Sequence, residues 1–562
     1  MPRKKNGKPG NKGNGYQVDP QMAQNPVLPL ALRSNEHLTI AELEQWLWDA
    51  ACAIRGATDA PKFKDFILPL VFYKRLSDVF DDECADWSKH FGDEAVAQQF
   101  IEEDHRQALL EGRRPMVRFL IPAAYRWEQL RNHGLAGLGE FVSEAMQQVA
   151  KLNPALDGVI NVRDYNERQG GQRTLDDERL AALIEVISRH RLGLRNAEPD
   201  VLGRAYEYLL RKFAEGQGQS AGEFYTPKEV GWLIASLLDP RPRSTIYDPA
   251  CGSGGLLIKA RLYFEEHHPE ERSKAPRLFG QELNPVTLAI AKMNMFLHDY
   301  TDALLLPGDT LRRPGFVAEG AGLRRFDYAV ANPMWNQDGY DDEFYDHDPY
   351  GRCQGFGKPP AHSADWGWIE HIYASLNEQG QAAVVLDTGA VSRGSGSKNS
   401  NREREIRACF VERDLIEAVI LLPDNLFYNT SAPGIVLLLR RQKPEERRNQ
   451  LLLVNASQLF VKEKPKNVLS EEGIAAITEV YRAWESRPRL SRVITLEEAR
   501  ATDYNLSPSQ FVDTTPAASY RPLPEILADL ARVRAQREEA ERELERLLSK
   551  LSIKQAPIEH GW

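Results

Sequence analysis

The stretch Thr245-Ile246-Tyr247-Asp248-Pro249-Ala250-Cys251-Gly252-Ser253-Gly254-Gly255 decides the fold. Thr245-Ile246-Tyr247 reads as a short buried strand. Leu256-Leu257-Ile258-Lys259-Ala260-Arg261-Leu262, directly after the glycines, reads as a helix. A glycine-rich bend between strand and helix lets a ligand approach the backbone closely and aims helix N–H groups at it. Taken alone, such a turn fits a nucleotide or dinucleotide site of unspecified class.

Three segments downstream narrow that class. Leu278-Phe279-Gly280-Gln281-Glu282 is a second strand ending in an acid, placed to accept hydrogen bonds from ribose hydroxyls. The interval from the glycines to Glu282 exceeds the roughly twenty residues of a dinucleotide fold. Leu304-Leu305-Leu306-Pro307-Gly308-Asp309 is a third strand whose acid can receive an adenine amino group. Phe326-Asp327-Tyr328-Ala329-Val330-Ala331 then runs into Asn332-Pro333-Met334-Trp335. The Asn332 amide and the Pro333 carbonyl are acceptors and Trp335 is a flat ring, a set suited to an exocyclic amine on a planar base. Asn-Pro also opens ordinary turns, and an acid at a strand end is a common turn residue, so each feature alone is weak. Strands ending in Asp248, Glu282, Asp309 and Asn332 would put all four at the carboxyl edge of one parallel sheet, where ligands bind.

Upstream lies Gly222-Glu223-Phe224-Tyr225-Thr226-Pro227-Lys228, leading into the apolar-periodic helix Val230–Leu238. Thr226 is expected as its N-cap and Pro227 as a first-turn residue. Beside the other motifs the segment reads as a lid over a bound cofactor.

In this order the motifs resemble the S-adenosylmethionine-dependent adenine-N6 DNA methyltransferases. More narrowly, the chain resembles the modification subunit of type I restriction–modification systems. Ala364-Asp365-Trp366-Gly367-Trp368-Ile369-Glu370-His371 and Leu421-Leu422-Pro423-Asp424-Asn425-Leu426-Phe427-Tyr428-Asn429-Thr430 also look like that family. The resemblance covers about Leu38 to about Phe511. It implies an α/β fold: a Rossmann-like S-adenosylmethionine-dependent methyltransferase core with an N-terminal helical domain and a C-terminal helical arm. It implies that Glu223, Phe224, Tyr225, Thr226, Pro227, Lys228, Asp248, Gly252, Ser253, Gly254, Gly255, Glu282 and Asp309 hold S-adenosylmethionine. Asp248 would lie near its amino-acid end, Glu282 on the ribose and Asp309 on the adenine. The target adenine would be flipped from double-stranded DNA and stacked on Trp335. Asn332 and the Pro333 carbonyl would accept hydrogen bonds from N6, leaving its lone pair for the methyl group. Positioning and preorganised acceptors are then the main catalytic effects, and no metal is required. One residue departs from the pattern: the family usually has Pro at position 334. A second Pro would hold Pro333 extended, whereas Met334 removes that restraint and adds a backbone N–H. The acceptors are expected to survive this.

Composition agrees with an intracellular enzyme. The 562 residues leave room for two or three domains, and five scattered cysteines show no metal spacing and suit a reducing cytoplasm. No apolar run reaches membrane-spanning length. The net charge of −10 means that DNA affinity must come from local patches or from a partner.

Four parts are expected: a basic, disordered tail (1–36), a helical domain (37–165), the catalytic domain (166–515) and a coiled-coil arm (516–562). In the second, Trp46, Trp48, Phe66, Phe72 and Tyr73 are read as core rather than as a nucleobase platform. The acidic loop bearing Asp338, Asp341, Asp342, Glu343, Asp346 and Asp348 is read as solvated or partner-facing. Ser392–Lys398 and the arginines up to Arg407 read as a flexible basic stretch able to follow a DNA backbone, or simply as a solvated loop. At the C-terminus Ile526, Leu530, Val533, Arg537, Ala540, Leu544, Leu547 and Leu551 alternate four- and three-residue steps, a heptad seam interrupted by Arg537. The resemblance implies that this arm meets a separate specificity subunit flanked by two modification subunits, beside a restriction/translocase subunit. A protein or RNA methyltransferase, a cytosine-N4 enzyme and a cofactor-binding scaffold with little turnover are the competing readings.

Overall fold

The computed structural model describes residues 38–57, 62–113, 115–156, 159–161, 163–169, 172–197, 205, 208–209, 212, 226–318, 320, 322–427, 430–463, 466–514 and 522–550. The basic tail, Glu223, Phe224, Tyr225, Tyr428, Asn429 and Leu551 therefore lie outside the described residues. Two units are distinguished, Met1–Asp513 and Thr514–Trp562.

The first part of the large unit is helical. Thr39 opens the helix Ile40–Ala53 with a capping box closed by Glu42, which satisfies amides that the first turn leaves without partners. The helix Phe63–Phe91 follows and buries Phe66, Phe72 and Tyr73. Helices Glu94–Glu111, Leu138–Leu152 and Asp177–Ile187 complete the layer. Trp46, Phe66, Phe72 and Tyr73 are core, as expected, with Trp48 half-buried against it, and polar tips are satisfied inside it. Trp46 Nε1 donates to the Val186 carbonyl at 2.7 Å and Tyr165 Oη to the Phe66 carbonyl at 2.7 Å. This core continues past residue 165 to Leu209 and takes in Ile290, Met293 and Leu297. These last three belong to the helix Pro285–Leu297, so the helical layer is seated directly on the α/β part.

A short antiparallel pair, β1 (Arg168–Gln169) and β2 (Gln172–Arg173), lies within the helical part, just before the helix Asp177–Ile187. The strands β3 (Thr245–Asp248), β4 (Arg277–Glu282), β5 (Leu304–Pro307), β6 (Phe326–Ala331), β7 (Leu376–Asp387), β8 (Ile416–Leu421), β9 (Gly434–Arg440) and β10 (Gln450–Asn455) follow in turn. Then β11 (Phe460–Val461) and β12 (Val468–Leu469) form a small ladder, and β13 (Ser491–Thr495) joins the main sheet. Its order is β13-β10-β8-β9-β7-β6-β3-β4-β5. Neighbours β7, β6, β3, β4 and β5 are parallel, β9 runs antiparallel between β7 and β8, and β13 is antiparallel to β10. Every residue of β8 is buried, as is β9 up to its final Arg440. Unbroken apolar runs such as Ile435–Leu439 are what strands covered on both faces require. With β6, β3, β4 and β5 parallel and adjacent, the residues that end them share one edge.

The small unit contains the helix Leu523–Lys550. Ile526, Leu530, Val533, Leu544 and Leu547 of the heptad seam are all exposed on it. Among the described residues no helix is long and apolar enough to cross a membrane.

Candidate active site

Asn332 follows β6 directly, with its side chain buried. Its Oδ1 accepts a hydrogen bond from Trp335 Nε1 at 3.2 Å, and its Nδ2 donates to Thr226 Oγ1 at 3.0 Å. An indole N–H can only donate, so this contact fixes which end of the amide is oxygen. Thr226 is thus not the N-cap that its sequence context suggested. Pro227 occupies that position, and among the described residues no side chain caps the helix Lys228–Leu238. The reason is tertiary: the Thr226 hydroxyl is turned to the Asn332 amide instead of the amides of the helix's first turn. Pro333 is buried, Met334 is exposed and Trp335 is half-buried. The indole meets Phe427 edge-on, with centroids 5.0 Å apart and planes at 72°. Gly434, at the start of β9, makes room for both rings. A Cβ there would lie 2.7 Å from Phe427 and 3.0 Å from Trp335.

The glycine turn sits next to this pocket. Asp248 ends β3, is buried, and accepts from the Ala250 N–H at 3.0 Å. Loss of water pushes its carboxyl up to about 8, opposed by the Ala250 bond and reinforced by the charge of Glu282. Gly252 takes a left-handed conformation (φ 53°), and a Cβ on it would meet nothing within 4 Å among the described residues. Its N–H donates to Glu282 Oε2 at 2.9 Å, and the Asn284 N–H donates to Glu282 Oε1 at 2.8 Å. Gly254, also left-handed (φ 82°), starts the helix Gly255–His267, while the Ser253 carbonyl accepts from Asn294 Nδ2 at 3.0 Å. Asp309, two residues past β5, accepts from the Arg312 N–H at 3.0 Å and from Tyr340 Oη at 3.2 and 3.3 Å. Burial and this carboxylate push the Tyr340 phenol up, so it stays a donor.

The structure therefore brings Thr226, Asp248, Gly252, Ser253, Gly254, Gly255, Glu282, Asp309, Asn332, Pro333 and Trp335 to one sheet edge. Lys228 lies in the first turn of its helix, 3.9 Å from Glu229. Phe427 and Gly434 were not singled out from sequence. The aromatic lay inside a quoted segment, but only the three-dimensional approach of β9 to Trp335 gives either residue a role.

The acidic loop is exposed at Asp338, Asp341, Asp342, Glu343 and Asp346, as expected of a solvated loop, and departs from that reading at Asp348, whose carboxylate is drawn inward. Asp348 binds Arg352, which also donates to the Leu311 carbonyl at 2.7 Å and faces His371 Nδ1 at 3.2 Å. Asp342 pairs with Arg402, Asp346 with Lys358, and Asp341 caps the short helix Asp342–Asp346. Burial and the nearby Arg352 guanidinium hold His371 well below its ordinary pKa, hence neutral, with Nε2 3.1 Å from Tyr247 Oη. In the basic stretch Arg402 is half-exposed in a surface pair with Asp342, while the other arginines are engaged within the fold. Arg407 is fully buried on backbone carbonyls, Arg404 meets Asp503, and Arg393 is held by Asp365, Asp387 and Glu403. A linear reading sees the cations but not the acids that other elements bring to them.

Comparison with known proteins decides the family. The N-6 DNA Methylase family matches residues 197–519, more than half of the chain, and the HsdM N-terminal domain matches residues 43–187. The type I restriction enzyme MjaVIII methylase subunit of Methanocaldococcus jannaschii is 34% identical over 501 residues, spanning 86% of this chain and 80% of that protein. The chain belongs to the type I restriction–modification methylases. Another such methylase, the HindI subunit of Haemophilus influenzae, is 29% identical over 70% of this chain and 90% of its own. The methyltransferase subunit of a type I restriction–modification system from Streptococcus thermophilus superposes with a TM-score of 0.67 at 27% identity, covering 85% of this chain and 100% of that one. A type I modification subunit from Vibrio vulnificus shares the fold, with a TM-score of 0.54 at 17% identity and coverage of 84% and 97%. The methylase α/β core and the helical region before it are both present, as the sequence motifs implied.

Proposed function

We propose that this type I methylase subunit transfers a methyl group from S-adenosylmethionine to N6 of adenine in DNA, with Asn332, Pro333 and Trp335 as the adenine pocket. The observation that carries the reading is the Asn332 amide, whose oxygen is fixed by Trp335 Nε1 beside the glycine turn. The residues present fit the cofactor. Among the described residues nothing lies within 4 Å of a Cβ built on Gly252, which suits a ligand lying against its backbone. The Glu282 and Asp309 carboxylates at the ends of neighbouring strands suit a ribose and an adenine amine. Bound there, S-adenosylmethionine supplies a methyl group on a positively charged sulfur.

The chain's own contribution is orientation and charge placement. Asn332 Oδ1 has a second lone pair, so it can accept from N6 while Trp335 Nε1 holds it. Together with the Pro333 carbonyl it draws the N6 hydrogens out of the ring plane, so that the nitrogen lone pair leaves conjugation and faces the methyl carbon. As the N–C bond replaces the S–C bond, one N6 proton is lost to solvent. Trp335 stacks on the flipped base, and Phe427 braces its edge. Asp248, Gly252, Ser253, Gly254, Gly255, Glu282 and Asp309 form the cofactor cradle, with Thr226, Pro227 and Lys228 as the described end of the segment that begins at Glu223, Phe224 and Tyr225. Asn332 at the acceptor position favours adenine over cytosine-N4 chemistry, where Ser is more frequent.

Work within a complex is part of the same reading. The exposed apolar seam on the helix Leu523–Lys550 suits a helical partner. The partner is a specificity subunit, with two copies of this chain flanking it and a restriction/translocase subunit alongside. The test is transfer of a labelled methyl group to double-stranded DNA with and without the specificity subunit, followed by digestion to nucleosides. Label in N6-methyladenine, dependent on the specificity subunit, supports the reading. Label in N4-methylcytosine or in protein refutes it.

A further inference from the structure

Asn336, the residue after Trp335, has a left-handed backbone (φ 54°) and sits at the edge of a closed ring of hydrogen bonds. Its N–H donates to Asp365 Oδ1 at 2.8 Å, and its Nδ2 lies 3.4 Å from Asp387 Oδ2. Both acids are bound by one guanidinium. Arg393 Nη2 donates to Asp365 Oδ2, and Arg393 Nη1 donates to Asp387 Oδ2 at 3.0 Å. Arg393 Nε and Nη2 also meet the two oxygens of Glu403 at 2.7 and 2.8 Å. Asp365 begins the helix Asp365–Ala374, Asp387 ends β7 and Glu403 lies in the helix Arg402–Glu412, so one planar group ties three elements to the turn after the pocket. Asp365 is fully buried. Its desolvation is offset by Arg393, by the Asn336 N–H and by its place in the first turn of a helix. The hub also sets a local requirement: a Cβ at Gly389 would lie 2.2 Å from Arg393 Nη1.

We infer that Asp365 and Arg393 are positioning residues for methyl transfer, holding through Asn336 the turn that sets Trp335 and, by its indole N–H, the Asn332 amide. The inference rests on the reading of Asn332 to Trp335 as the adenine pocket. Neither residue belongs to the proposed adenine pocket or cofactor cradle. The cradle is built on other strands and meets this turn through Gln337, whose carbonyl accepts from the Ala364 N–H at 2.8 Å and whose Nε2 donates to Tyr340 Oη, itself a donor to Asp309. The effect is therefore expected in rate rather than in cofactor affinity. Lysine in place of Arg393 offers a point charge and cannot span three carboxylates in one plane.

The experiment uses the full chain assembled with its specificity subunit. It reads single-turnover methyl transfer, affinity for S-adenosylhomocysteine, and the fluorescence of 2-aminopurine at the target base. Asp365→Ala should slow transfer by about 100-fold, the scale of a misplacement of about 1 Å, with cofactor affinity unchanged and the flipping signal altered. Asp365→Asn keeps an oxygen for the Asn336 N–H and should recover most of that loss. Arg393→Lys should slow transfer by about 10-fold, again without weakening the cofactor. Parent-like transfer in Asp365→Ala overturns the inference, as does loss of cofactor affinity in step with rate. If Asp365→Ala does not fold, Arg393→Lys decides by the same criteria. Asn332→Ala in the same assay separates the two failures. If it transfers as fast as the parent, the pocket reading is wrong. If it is inactive while Asp365→Ala and Arg393→Lys are parent-like, only the positioning role is wrong.

Discussion

Cofactor binding should drive a proton off Asp248. Its carboxyl is buried and raised to about 8 from an ordinary 3.8. At pH 7 about nine-tenths of it is therefore protonated, and at pH 9 about one-tenth. In the proposed cradle the ammonium at the amino-acid end of S-adenosylhomocysteine would lie beside it and favour the carboxylate. If the bound pKa returns to the ordinary range, about 0.9 proton is released per ligand at pH 7 and about 0.1 at pH 9. Isothermal titration in phosphate and in Tris reads this directly, because the released proton is taken up by buffers of different ionisation enthalpy. The perturbation is Asp248→Asn, which keeps the shape and removes the titration; subtracting its heats also removes any titration of the ligand's own amine. An identical buffer dependence in parent and variant refutes the reasoning. The ligand-free protein gives the same sign. Because the folded pKa is raised, the folded chain keeps a proton that the unfolded chain has lost between about pH 4 and about pH 8. Stability contributed there falls as pH rises, by at most about 1.4 kcal/mol per pH unit. Asp248→Asn should flatten that slope.

Two substitutions probe the pocket wall and the sheet. Gly434→Ala places a methyl group against Phe427 and Trp335. It should raise KM for DNA by about 10-fold through displaced rings, a cost of about 1.4 kcal/mol, with cofactor affinity unchanged in equilibrium binding. Leu437→Ala empties a fully buried position in the middle of β9. It should cost about 2–5 kcal/mol, visible as a lower midpoint in thermal or urea unfolding of the large unit.

Much of the site was legible because each motif sat at a strand end. The run Thr245–Tyr247 followed by glycines, and the acids after Leu278–Gln281 and Leu304–Leu306, specify parallel strands whose ends converge. The heptad steps from Ile526 to Leu547 likewise fall on one helix with exposed apolar positions. What the sequence hid were contacts between distant elements. Thr226 carries every local mark of an N-cap, yet its hydroxyl serves Asn332, 106 residues away. Arg393 looks like part of a solvated basic loop until Asp365, Asp387 and Glu403 arrive from three other elements. Asp348 and Arg352 form a buried pair inside a loop whose composition reads as acidic surface. In each case a side chain's partner is set by the tertiary fold, to which local periodicity and capping rules are blind.

If the Asn332 amide accepts from the reacting amine, its loss must show in the single-turnover rate of N6-adenine methylation by Asn332→Ala, assembled with the specificity subunit at saturating cofactor. Removing one preorganised polar contact to the reacting centre is expected to cost about 100- to 1000-fold, with S-adenosylhomocysteine binding and the 2-aminopurine flipping signal retained. A rate equal to the parent's would contradict the account.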